Sequence, residues 1–82
     1  MTCQNLTNYF IKFGKKQELM FDAPGNGVIL IPPKNMKLYV QFLNEQGQLL
    51  ASNTVTYSAK VVGKVRLVNG SPLELDLHVI QL

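Results

Sequence analysis

The sequence predicts an all-β fold, a small two-sheet antiparallel β-sandwich with jelly-roll or immunoglobulin-like connections, with a small OB-like barrel as second choice. Three observations carry this expectation. Turn signals recur at short intervals, at Gly14, "APGNG" (23–27), "PPKN" (32–35), "NEQG" (44–47), Gly63 and "NGSP" (69–72). The segments between them are short and rich in valine, leucine, isoleucine, threonine and aromatic residues, which suit a pleated, half-buried surface. From Leu73 to Val79 apolar and polar residues alternate without a break, the period of a strand with one face in the core.

Taken in order, strands are expected at 6–13, 17–22, 27–31, 37–43, 48–52, 54–62, 64–68 and 73–81, some of them merging. Tyr9, Ile11 and Phe13 alternate with Asn8 and Lys12, and this pattern makes the first segment a strand. The helical spacing of Cys3, Leu6, Phe10 and Phe13, between Thr2 as cap and Gly14 as stop, keeps a helix open for residues 2–13. Pro24 and Gly25 suit a type II turn between the second and third segments. Asn69 and Gly70 suit a tight hairpin from "KVRLV" into the terminal strand. Pro72 cannot donate a ladder hydrogen bond, so it marks an edge or first-residue position there.

"VILI" (28–31) and "LYVQFL" (38–43) are apolar on both faces. A strand of that kind needs cover on both sides. A short chain with no helical layer cannot supply it, so the cover is expected from a second copy or another protein.

Residues 1–82 are expected to form one domain, which at this length buries only about 60% of its unfolded surface. Cys3 is the only cysteine, so neither an internal disulfide framework nor a cysteine-based zinc site is available. A reducing intracellular compartment, or a particle assembled in one, is the expected setting. "MTCQNLTNYF" is polar where a signal peptide would be apolar, and "VILI" is far short of the roughly 20 residues that span a bilayer. The expectation is a soluble protein with no membrane span. The triplets at Asn5 and Asn69 read as chance matches and turn chemistry.

The formal net charge of +3 is a mild bias. It permits an acidic partner without demanding one. Asparagine and glutamine equal the charged residues in number, and such adaptable, cheaply desolvated side chains suit an assembling surface.

Catalytic chemistry is poorly supplied, and no enzyme activity is expected. His78 is the sole histidine, and no GxSxG elbow or Walker loop occurs. Glu74, Asp76 and His78 share a strand face, but same-face neighbours lie about 6.8 Å apart, so one ion cannot easily collect all three. No metal or cofactor is expected. The competing functional reading is an OB-like binder of single-stranded nucleic acid. Lys12, Lys15 and Lys16, then Lys34 and Lys37, then Lys60, Lys64 and Arg66 each lie near an aromatic residue, and Tyr57, Lys60, Lys64 and Arg66 are its candidate contacts.

The preferred reading is a structural or assembly-directed protein-binding β-domain, a self-associating component of a capsid, appendage or similar particle. Its candidate partner-binding residues are His78, Ile80 and Leu82. Past Val79 the alternation breaks, because Ile80 and Leu82 fall on the polar face. No following segment covers the terminal strand, so these residues are expected to meet another chain by edge pairing or burial. A bulge near Val79, turning both inward, is the alternative; fraying is the third.

Overall fold

The computed structural model describes residues 7–82, so the readings made of Thr2, Cys3, Asn5 and Leu6 lie outside the described residues. Six strands follow one another: β1 (Thr7–Phe13), β2 (Glu18–Ile31), β3 (Leu38–Leu43), β4 (Leu49–Val55), β5 (Ala59–Asn69) and β6 (Leu75–Gln81). All pairings are antiparallel, in one sheet ordered β1-β6-β2-β5-β3-β4. The fold is therefore all-β, and the first segment is a strand rather than a helix.

One continuous sheet replaces the expected pair of sheets, because β2 and β5 each run through a position that reads as a turn. "APGNG" does not end a strand. It forms a bulge between Ala23 and Val28, opposite Gly63, with Gly25 and Gly27 at φ of 56° and 100°. Gly63 likewise sits inside β5, and the true turn follows Val55, so the expected break near 53 is wrong. Gly27 is the residue with least freedom there. A Cβ on it would lie 2.6 Å from the Val61 carbonyl oxygen, closer than such atoms approach.

The pairing directions show what the bulge does. Asn69 N–H donates to the Gln17 carbonyl and the Asn69 side chain donates to the Leu73 carbonyl, so β2 and β6 start at the same end. Leu82 N–H donates to the Gly27 carbonyl, so β6 finishes at the bulge. Residues 28–31 pair antiparallel with β6, so β2 reverses at the bulge and runs back towards its origin. β5 does the same at Gly63. The first half of the sheet comprises β1, β6 and residues 28–31 and 59–61; the second comprises residues 18–23 and 63–69, β3 and β4. The halves face each other and enclose one core, in which Phe13, Val28, Leu30, Val61, Leu77 and Val79 of the first meet Leu38, Val40, Val55, Val65 and Leu67 of the second.

The end opposite the bulge is closed by polar groups. Asn69, fully buried, donates through Nδ2 to the carbonyls of Phe13, Gly14 and Leu73 and accepts from Ser71 N–H. Ser71, also buried, accepts from Lys37 N–H and donates to the Asn35 carbonyl. Three loops are thus tied together, and no buried side-chain polar atom among the described residues lacks a partner. A buried network is stabilising only when complete. This corrects the hairpin expected at Asn69 and Gly70: β5 and β6 do not pair, β6 begins at Leu75, and Pro72 lies in the connecting loop.

Candidate functional site

β6 lies between β1 and β2, so the expected open edge of the terminal strand is corrected: its full length pairs with β1, and residues 78–81 pair with β2 as well. The edges are β1 and β4. The bulge near Val79 is absent too, since the β1–β6 register is unbroken from Leu75 to Gln81. Leu77 and Val79 point into the core, and His78 and Ile80 point outwards. Leu82 is half-buried with its N–H bonded to Gly27, which argues against fraying.

Register then assembles the surface around His78 and Ile80. Phe10, His78 and Ile31 form one row across the outer face; Asn8, Ile80, Ile29 and Lys60 form the next. Phe10 is 65% exposed, and its ring stacks on the His78 imidazole at 4.8 Å between centroids. The His78 Nε2 is 2.9 Å from Asn8 Oδ1. Ile29, Ile31 and Ile80 are half-buried on this outward face. The result is an apolar block of Phe10, Ile29, Ile31 and Ile80, bordered along the strands by Asp76 and the Lys12–Glu74 ion pair (3.7 Å) and across the sheet by Lys60 beside Ile29.

Sequence reasoning found His78 and Ile80 but missed Phe10, Ile29 and Ile31 as their neighbours. The missing signal was long-range: only the β1–β6–β2 order brings them together. Glu74 lies before β6 and pairs with Lys12, so the expected acidic row on that strand is reduced to Asp76 and His78. Among the described residues no group of three or more histidine, cysteine or carboxylate side chains could hold a metal ion.

The alternative set is partly united. Lys64 and Arg66 share the outer face of the second half, Lys60 lies beyond the reversal at Gly63 on the outer face of the first half, and Tyr57 stands 84% exposed in the preceding turn. Acidic and amide groups interrupt this row. Asp22 lies opposite Lys64 in the ladder, and Arg66 donates to Gln41 Oε1 at 3.2 Å. Tyr39, the aromatic one strand away, is not a free stacking platform. Its ring lies against Gly70, where a Cβ would collide with it.

One open cleft of about 560 Å³ lies at the bulge end, lined by Asp22, Leu43, Glu45, Val62, Gly63 and Lys64. It lacks the enclosed apolar walls and converging polar groups of a small-molecule site. No protein family, curated protein or solved structure is matched by the chain.

Proposed function

We propose that the chain is a structural, assembly-directed β-domain that binds a second copy of itself through the apolar outer face of its first half, as a component of a capsid, appendage or similar particle. We read the folded-over sheet as a sandwich-like scaffold for that contact. The observation that carries the proposal is the outward-facing apolar block of exposed Phe10 and half-buried Ile29, Ile31 and Ile80. Contiguous apolar surface of this kind gains about 25 cal/mol for each Å² taken from water, and contiguity separates an interaction site from ordinary scattered exposure. A second copy fits because the rim carries both signs. Lys12, Glu74 and Asp76 stand along one side and Lys60 flanks Ile29 on another, and a copy turned about a twofold axis can set Asp76 against Lys60. His78 supports Phe10 by stacking, and Leu82 borders the block at the bulge.

Light-scattering mass across a concentration series tests this reading. Phe10→Asp and Ile80→Asp are expected to lower the mass while the melting temperature stays close to that of the parent. A wild-type chain that is monomeric at every concentration overturns the reading, as do variants that keep the parental mass. The second reading, an OB-like single-stranded nucleic-acid binder, is favoured by Lys64 and Arg66 side by side on the outer face of the second half. It displaces the first if an unstructured oligonucleotide binds below micromolar at physiological salt, and each of Lys60→Ala, Lys64→Ala and Arg66→Ala lowers the salt slope by about one.

A further inference from the structure

β4 is the more exposed of the sheet's two edge strands. It pairs with β3 alone, and six of its seven residues are exposed, only Val55 being buried. Leu49 and Leu50 stand 59% and 67% exposed at its start. Such a strand offers a row of backbone N–H and C=O groups to any second strand. Edges are normally guarded by lysine, proline or inward-pointing charge; "LLASNTV" contains none of these. The one irregularity in its ladder falls between Phe42 and Leu43, beside the turn, and residues 51–55 pair in unbroken register.

We infer that β4 is a second self-association site, where the β4 strands of two copies pair antiparallel about a twofold axis at Asn53. The charge pattern selects a second copy as the occupant. In such a pair Asn53 meets its own counterpart and Ser52 meets Thr54 of the second copy, so a charge at position 53 would face the same charge. β4 offers serine, asparagine and threonine at these positions, which pair across strands as neutral hydrogen-bonding groups. The inference rests on the self-association proposed above and extends it. A twofold contact through the outer face of the first half and another through β4 make the chain bivalent, and two separate twofold contacts build an extended assembly rather than a closed dimer.

The test is a charge swap at an exposed position. Wild type is expected to exceed a dimer in sedimentation and light scattering. Asn53→Lys and Asn53→Asp should each stop at a dimer held by the apolar face, and mixing the two should restore larger species. Thr54→Lys is a second variant on the same strand, and circular dichroism confirms that each variant is folded. Variants that keep the parental mass, or a mixture that restores nothing, overturn self-pairing at β4. The two sites fail separately. If Ile80→Asp keeps the wild-type mass while the Asn53 variants fall to monomers, the face reading is lost and the β4 site stands. If Ile80→Asp falls to monomers, the face reading stands and β4 pairing is overturned.

Discussion

On the outer face of the first half, Phe10, Ile29, Ile31 and Ile80 cluster around His78, whereas the outer face of the second half sets Glu18, Asp22, Lys64, Arg66 and Gln41 among the exposed Met20 and Tyr39. The same two strands, β2 and β5, contribute to both. What separates the faces is the bulge, which shifts the alternation of β2 so that odd residues point inwards before it and even residues after it. Glu18, Met20 and Asp22 therefore face water in one half, while Ile29 and Ile31 face outwards in the other. Water suits the first set. The second set gains by meeting protein, which is why the proposed contact belongs to one half only.

The comparison depends on the halves staying folded against each other, and the largest expected effect is at their tie. Asn69→Ala removes three donated bonds and one accepted bond from a fully buried site. It leaves buried carbonyls unpaired and is expected to cost about 3 kcal/mol, read as a fall in the urea midpoint at equilibrium. Gly27→Ala comes next. At φ of 100°, with the Val61 oxygen in the way, a side chain strains the corner and is expected to cost about 2 kcal/mol in the same assay. The smallest effect sharpens the contrast. Met20 is 54% exposed on the second half, opposite Arg66 and flanked by Glu18 and Asp22. Met20→Asp, the same kind of change as Ile80→Asp, is expected to leave the mass unaltered and stability within about 0.5 kcal/mol. A loss of association there would move the interface to the other face.

Part of this was legible in the chain itself. The alternation of Leu75, Leu77 and Val79 against Asp76 and His78 placed the terminal strand's faces correctly, because side-chain period is a local property of an extended backbone. "VILI" was read as greasy on both sides, and in the structure Val28 and Leu30 are buried while Ile29 and Ile31 form half of the candidate surface. His78 and Ile80 were singled out as contact residues, but for an edge that does not exist. Leu49 to Val55 drew no attention, since an uncharged strand is unremarkable until it is known to lie at an edge.

Sequence alone determined the class of fold, the faces of the strands and the scarcity of catalytic groups. Periodicity, turn chemistry and residue counts are set by neighbours a few positions apart or by none. Tertiary structure decided whether a glycine ended a strand or bent it, which strands lay at the edges, and which outward residues became neighbours. Gly25 and Gly63 carry the same local signal as turn glycines, and only the pairing of residues 28–31 with β6 keeps β2 in the sheet beyond its bulge. Phe10 and Ile31 flank His78 because β6 inserts between β1 and β2. Such pairing depends on contacts between residues dozens of positions apart, for which one chain's local pattern carries no signal.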